Sequence, residues 1–268
     1  MSRVLIYGIN PVAEALRAGR ARELIVAQRI DERVARMVRE AGQSGLPVRR
    51  VSPADLDRLA RGGVHQGIAA SLHPRRAASL ENLVTRGADV PLLVVLDGVE
   101  DPHNVGAILR SVDAAGASGV VRQSRRAAPL EGAAAKASAG AVSHVTIVEV
   151  VNIARAIEDL KEAGVWTVGL AGDAPLRYDQ VDLTLPTALI VGAEGTGLRR
   201  LVRERCDVLA SIPMRGHVES LNVSVAAGIV LFEALRQRAV AARDGAESGR
   251  NPGGDRRPRG QGDGGGIA

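Results

Sequence analysis

Short apolar runs alternate with amphipathic segments along most of the chain. In the first 72 residues, four such runs have the length of strands: 4–7, 24–27, 48–51 and 67–71. Between the second and third runs, apolar residues recur at i, i+3, i+4 and i+7, starting at Val34. This spacing predicts a helix, and Asp31 is placed to cap it. Residues 1–72 are therefore predicted to form a small α/β domain.

From residue 91 onward the same alternation continues on a larger scale. Strands are predicted at 92–96, 120–121, 144–148, 165–170, 188–191 and 208–212. Helices are predicted from about residue 104, near 131–139, over 152–163 and from 223. This pattern predicts a mainly parallel sheet with helices on both faces. Because knots are nearly absent among folds, the pattern alone favours an open, Rossmann-like sheet.

The remaining segments lack this periodicity. Residues 73–90 contain Pro and Gly and are predicted to be a linker with at most one helical turn. The second domain is placed at 91–240, and its last helix is apolar on nearly every face through Leu235, which is typical of a fully buried helix. Residues 241–268 are rich in Gly, Arg, Asp and Pro and are predicted to be a disordered tail.

Composition narrows the function classes. The chain has one Trp, two Tyr and one Phe, which argues against RNA modules that stack bases on aromatic side chains. A formal net charge of +5 favours a polyanionic partner. The lone Cys206 excludes an internal disulfide and a cysteine cluster for a metal, so no metal is expected. We find no signal peptide and no membrane-spanning run, and predict a soluble, cytoplasmic protein without a membrane partner.

Three polar stretches follow predicted strands, where open α/β sheets bind their ligands. In the first, 96–110, Asn104 stands near the start of a helix and Arg110 lies off the apolar stripe. Arg110 is therefore free to face either a cleft or solvent. In the third, 212–222, Ser220 and Asn222 precede the last helix, where they either surround a ligand or only cap that helix.

The second stretch, 191–198, is a turn with three glycines, which lets the backbone pass close to a ligand. Its spacing is not G-x-G-x-x-G, so the dinucleotide fingerprint is absent. Glu194 inside the turn would repel a phosphate. A ligand with a positive centre, or one bound through a neutral nucleoside, fits this turn better.

Together, residues 101–110, 191–198 and 212–226 resemble the three motifs of the SpoU/TrmH-type RNA ribose 2′-O-methyltransferases. The resemblance extends over about residues 3–239. Within the first domain, two segments resemble the subgroup that methylates a guanosine of large-subunit (23S) ribosomal RNA: residues 7–12 and residues 64–68. It implies S-adenosylmethionine as methyl donor and a SPOUT domain knotted as a trefoil. It also implies a first domain like ribosomal protein L30e, which would bind the RNA substrate, and a homodimer.

The resemblance also implies roles for single residues. Cofactor contacts fall at Gly192, Ile212 and Leu221, largely through backbone groups. The family assigns the residue matching Arg110 to the ribose hydroxyl. Because a guanidinium is normally never deprotonated, we expect Arg110 to position the RNA phosphate and stabilise the developing alkoxide. The supporting residues, expected to hold Arg110 and the loops in place, are Asn104, Glu194, Ser220 and Asn222.

Three alternatives stay open. The chain could be a tRNA or antibiotic-resistance methyltransferase of the same superfamily, although those tRNA enzymes usually lack such an N-terminal domain. It could instead be a non-catalytic RNA-binding protein that kept the fold. A nicotinamide-dependent Rossmann enzyme is the most distant alternative.

Overall fold

The computed structural model describes residues 5–73, 78–85, 90–125 and 127–248. The elements of the first part are β1 (Leu5–Tyr7), α1 (Ile9–Arg17), β2 (Ala21–Ala27), α2 (Glu32–Gln43), β3 (Val48–Val51), α3 (Pro53–Leu59), β4 (Ile68–Leu72) and α4 (Leu80–Thr85). The strands form one sheet in the order β1-β4-β2-β3, in which β4 is antiparallel to both neighbours. The predicted cap is confirmed, since the Asp31 side chain accepts a hydrogen bond from the Val34 N–H at 2.8 Å.

The second part contains β5 (Leu92–Asp97), α5 (Pro102–Ala114), β6 (Gly119–Gln123), α6 (Ala133–Ala137), β7 (Ile147–Val150), α7 (Ile153–Glu162), β8 (Trp166–Leu170), β9 (Leu176–Arg177), β10 (Thr187–Gly192), α8 (Arg200–Arg205), β11 (Val208–Ser211) and α9 (Val223–Ser248). Its seven strands are all parallel, in the order β7-β6-β5-β10-β8-β11-β9. The predicted parallel sheet is confirmed. The strand order explains how distant stretches meet, because β10 lies between β5 and β8.

Helices cover both faces of this sheet. Alternate residues of β5 point to opposite sides, so Val94 packs in the core formed with α5 and α9, whereas Val95 packs in the core formed with α7 and α8. Strands buried on both faces need apolar side chains at every position. This explains why the strand sequences are continuous apolar runs rather than alternating ones.

The last helix differs from its prediction in two ways. It was expected to be fully buried, but Val225, Phe232 and Leu235 are 49%, 48% and 41% exposed. Only one side of α9 packs on α5 and β10, and apolar sequence alone does not say what covers the other side. The helix also continues to Ser248, so the prediction of a disordered tail is wrong for residues 241–248, because alanine-rich sequence favours helix. The remainder of that predicted tail, 249–268, lies outside the described residues.

The predicted linker contains an ordered element. Helix α4 occupies residues 80–85, and its Leu83 is fully buried in the core beside α7. Residues 74–77 and 86–89 of the linker lie outside the described residues. No helix in the described part of the chain is long and apolar enough to cross a membrane.

Candidate active site

The candidate site lies at the carboxyl ends of the strands. Because β5, β10 and β11 are parallel members of one sheet, the three polar stretches that follow them emerge on the same edge. A pocket of about 600 Å³ opens there. Six of the predicted site residues line it: Gly192, Glu194, Ile212, Ser220, Leu221 and Asn222. Asn104 contacts one of these six, whereas Arg110 is not among the lining residues.

The glycine turn is folded tightly against the end of β10. The Ala193 N–H donates to the Gly197 carbonyl at 3.1 Å, and the Gly197 N–H donates back to the Ala193 carbonyl at 2.9 Å. A Cβ added to Gly192 would lie 2.1 Å from the Gly197 carbonyl carbon. Gly192 therefore leaves room for the returning backbone, and only glycine fits this position. Gly195 and Gly197 have positive φ angles of 77° and 66°, which other residues rarely adopt.

The Asn222 side chain joins all three motifs. Its amide nitrogen donates to Asn104 Oδ1 at 2.8 Å and to Glu194 Oε1 at 2.6 Å. Its oxygen accepts from the Ser224 N–H at 2.9 Å, which caps the start of α9. The oxygen of Asn222 therefore caps α9, while its nitrogen connects the first turn of α5 to the glycine turn. Ser220 lies on the pocket wall and is exposed.

The helix of the first motif begins slightly earlier than predicted. Helix α5 begins at Pro102, and Asp101 caps it by accepting from the His103 N–H at 3.0 Å. Asn104 therefore lies inside the first turn, where it is buried and bonds to Asn222 rather than capping its own helix. Arg110 is six residues later, about 9 Å along the helix axis. It is exposed, and no described residue forms a hydrogen bond or ion pair with it.

Sequence reasoning missed two ion pairs at this site. Asp97, at the end of β5, is fully buried and pairs with Arg199, which directly follows the glycine turn. Asp173 and Arg203 line the pocket and form two hydrogen bonds of 2.8 and 2.9 Å. The Arg203 guanidinium holds the pKa of Asp173 below its ordinary value. A charged residue at the end of an apolar run was the available signal for Asp97.

The lining determines which ligands fit. The volume is in the range of small-molecule sites. Ile212, Leu221 and Leu170 supply apolar surface, and the glycine turn brings backbone polar groups close to the pocket. The carboxylate of Glu194 suits a positive centre better than a phosphate, whereas the carboxylate of Asp173 is already paired with Arg203. Within the described residues, no cluster of His, Cys, Asp or Glu could hold a metal ion.

Comparison with known proteins agrees with this geometry. The model of the SpoU rRNA Methylase family matches residues 91–232. A second model, described as RNA 2'-O ribose methyltransferase substrate binding, matches residues 5–78. The 23S rRNA (guanosine-2'-O-)-methyltransferase RlmB of Pseudomonas syringae pv. tomato is 45% identical over 239 residues, which cover 87% of this chain and 95% of that relative.

Solved structures show the same fold. The SpoU methyltransferase AviRb from Streptomyces viridochromogenes matches with a TM-score of 0.76 at 27% identity, covering 89% of this chain and 91% of that one. Its complex with the cofactor AdoMet matches with a TM-score of 0.74 at 28% identity, covering 88% and 90%. The fold is thus the knotted α/β fold that the resemblance implies, and the open Rossmann-like sheet is excluded. With matches over both of its parts, the chain belongs to the SpoU rRNA methylase family.

Proposed function

We propose that this protein transfers a methyl group from S-adenosylmethionine to the ribose 2′-hydroxyl of a guanosine in 23S ribosomal RNA. The observation that carries the proposal is the junction of all three motifs at Asn222, beside a pocket of nucleoside size. The RlmB relative, 45% identical over most of both chains, supports the choice of rRNA and guanosine. Ribosomal RNA as substrate fits a cytoplasmic protein.

The pocket residues suit S-adenosylmethionine, which supplies a methyl group on a sulfonium cation. Gly192 lets the backbone approach the ligand, and Ile212 and Leu221 provide apolar walls for an adenine ring. Glu194 offers a negative charge near a positive centre. These three features account for binding through shape, backbone groups and charge together, without a metal ion.

Arg110 is proposed to act on the RNA. Its guanidinium is exposed and has no partner among the described residues, so it is available to a phosphate or to a developing alkoxide. The bond between Asn104 and Asn222 fixes the start of the same helix against the pocket loops. Asn104, Glu194 and Asn222 therefore hold Arg110 and the pocket at a constant separation, and Ser220 completes the pocket wall.

We also propose that the enzyme is a homodimer that packs through α9. The exposed Val225, Phe232 and Leu235 lie on this helix, and contiguous apolar surface of this kind marks interfaces. Helix α5 packs beside α9, where Gly228 lies against Ser111, and Arg110 is the preceding residue. A second copy on this surface would therefore bring a protein surface close to Arg110. Light scattering should give a dimer for the wild type and a monomer for Phe232→Glu, with Leu201→Glu on α8 as the control.

The two domains are proposed to have separate functions, RNA binding and methyl transfer. Residues 1–72 would bind the RNA substrate and residues 91–240 would carry the methyltransferase site, with 73–90 connecting them. Between residues 5 and 72 the chain has eleven arginines against seven acidic residues, an excess that suits a polyanion. The family model for substrate binding covers the same region.

Methylation mapping tests the proposal directly. Ribosomal RNA from cells lacking this gene should lose one ribose methylation at a guanosine of 23S rRNA, and the purified protein should restore it. Arg110→Ala should abolish methyl transfer while calorimetry gives nearly unchanged S-adenosylmethionine binding. Arg155→Ala, another exposed arginine on the opposite face of the sheet, serves as the control. Full turnover by Arg110→Ala would remove Arg110 from the mechanism, and methylation of tRNA instead would favour the alternative substrate.

A further inference from the structure

A buried carboxylate at the end of β5 pairs with the arginine that follows the glycine turn. Asp97 is 0% exposed, although it is a carboxylate at the end of an apolar strand. Its Oδ2 accepts from the Arg199 main-chain N–H at 2.8 Å, and its Oδ1 accepts from Arg199 Nε at 2.6 Å. The guanidinium also forms an ion pair with Oδ1 through Nη2. One carboxylate thus uses both of its oxygens on a single residue 102 positions later in the chain.

The ion pair between Asp97 and Arg199 fixes the C-terminal end of the glycine turn. At the N-terminal end of the turn, Gly192 of β10 is in register with Asp97 of β5. At the C-terminal end, Arg199 is bonded to the same Asp97 through its main chain and its side chain. Both ends of residues 193–198 are therefore anchored at one point of the sheet, and the paired Ala193 and Gly197 close the segment between them.

We propose that Asp97 and Arg199 are positioning residues that hold the glycine turn in its ligand-binding conformation. The inference rests on the proposed function, because it concerns binding of the S-adenosylmethionine nucleoside to this pocket. Neither side chain has to touch the ligand: Asp97 and Arg199 are not among the lining residues, whereas every residue from 192 to 198 is. The pair acts through the backbone of that segment.

A population argument gives the expected effect. If the turn adopts its binding conformation for only a fraction of the time, the apparent dissociation constant rises by the inverse of that fraction. A bound nucleoside would then hold the turn in place, so turnover at saturation would be preserved. Asp97→Asn keeps an oxygen that can accept from the Arg199 N–H but loses the charge that pairs with the guanidinium. We expect its dissociation constant for S-adenosylmethionine to rise about tenfold, with kcat at saturation within about twofold of the wild type.

The test combines calorimetry with amide hydrogen exchange on the full chain. Asp97→Asn and Arg199→Ala should both weaken S-adenosylmethionine binding and speed exchange of the Gly197 amide, which donates to Ala193. Arg199→Lys should recover part of the affinity, because it restores a cation beside the carboxylate. Arg200→Ala is the matched control, since its neighbouring guanidinium is 84% exposed and pairs only with Glu204 among the described residues.

The outcomes separate this inference from the proposed function. If the wild type fails to bind S-adenosylmethionine, the proposed function is wrong. The binding measurements are made well below the melting temperatures of all variants. If both variants then bind S-adenosylmethionine as tightly as the wild type, the pair is only structural and the inference is overturned. Equal losses of kcat and affinity would also overturn it, because they would indicate a direct catalytic role. Should Asp97→Asn fail to fold, Arg199→Ala and Arg199→Lys decide the same question, since each keeps the main-chain bond to Asp97.

Discussion

Replacing Gly192 by alanine is the most direct perturbation of the proposed cofactor site. The new Cβ would lie 2.1 Å from the Gly197 carbonyl carbon, 2.3 Å from its oxygen and 2.4 Å from the Leu198 nitrogen. All three are backbone atoms, so no side chain can rotate away to make room. The turn would have to move outward by about 1 Å, because overpacked atoms in a close-packed site can only be relieved by backbone shifts.

The cost follows from the bonds that hold the turn. Moving it by that distance breaks the two hydrogen bonds between Ala193 and Gly197. At about 1 kcal/mol each, their loss is about 2 kcal/mol, which corresponds to about 30-fold weaker binding. The added methyl group also destabilises the folded protein by about 1–3 kcal/mol, the usual range for overpacking. Both effects should therefore appear, in binding and in unfolding.

Titration calorimetry with S-adenosylmethionine measures the first effect and urea unfolding the second. Gly172→Ala is the matched control: Gly172 lines the same pocket, but its added Cβ would have only the Glu219 carbonyl oxygen nearby, at 4.0 Å. Its affinity should remain near that of the wild type. If Gly192→Ala bound S-adenosylmethionine as tightly as the wild type, the ligand would bind elsewhere and the reasoning about this pocket would be refuted.

Three further predictions concern single side chains. Asn222→Asp replaces two donated hydrogen bonds by a carboxylate 2.6 Å from Glu194 Oε1, so kcat/KM in a methyl-transfer assay should fall at least about tenfold, whereas Asn222→Ala should lose less. Burial disfavours the Asp207 carboxylate, but bonds from Lys161 and Thr167 outweigh this and lower its pKa. Its stabilising contribution is therefore present above the ordinary value of 3.8 and is lost as pH falls through the lower folded-state pKa, and Asp207→Asn should reduce this acid dependence in urea unfolding. Burial raises the pKa of the Cys206 thiol to about 12, so Ellman's reagent should react slowly with the native protein near neutral pH and rapidly after denaturation.

Local structure could be predicted well from the sequence. The cap at Asp31 and the strand at 48–51 are where the residue pattern placed them. Such features depend on a few neighbouring residues, and the chemistry of a cap is the same in any fold. The same holds for the parallel sheet, since continuous apolar strands between helices have few other solutions.

Long-range placement could not be predicted in the same way. Nothing in the residue pattern indicates that β10 inserts between β5 and β8, and general rules of topology favour an open sheet. The family resemblance supplied the knot. Likewise, the apolar sequence of α9 predicts a buried helix, because hydrophobicity does not identify the covering surface. The exposed side of α9 is instead the proposed dimer interface.

For the candidate site, the residues could be predicted from local motifs, whereas their distant partners could not. Seven of its predicted residues lie in or beside the pocket because each motif ends a strand at one edge of the sheet. The sequence predicts a supporting role for Asn104 but does not identify its partner Asn222, which is 118 positions away. Asp97 was missed for the same reason, because the cation that explains its burial is Arg199. The burial of a charged side chain can be explained only when its oppositely charged partner is known.

These distant bonds link the proposed chemistry to the fold itself. The bond from Asn222 to Asn104 and those from Arg199 to Asp97 each join segments more than 100 residues apart, and the Arg199 bonds lie at the end of the pairing between β10 and β5. Contacts of high sequence separation are costly in chain entropy and form late in folding. The pocket is therefore completed by the contacts that complete the knotted sheet. It follows that variants at these positions should alter both stability and ligand binding, and that only the ratio between the two effects can distinguish a residue that positions the pocket from one that merely supports the fold.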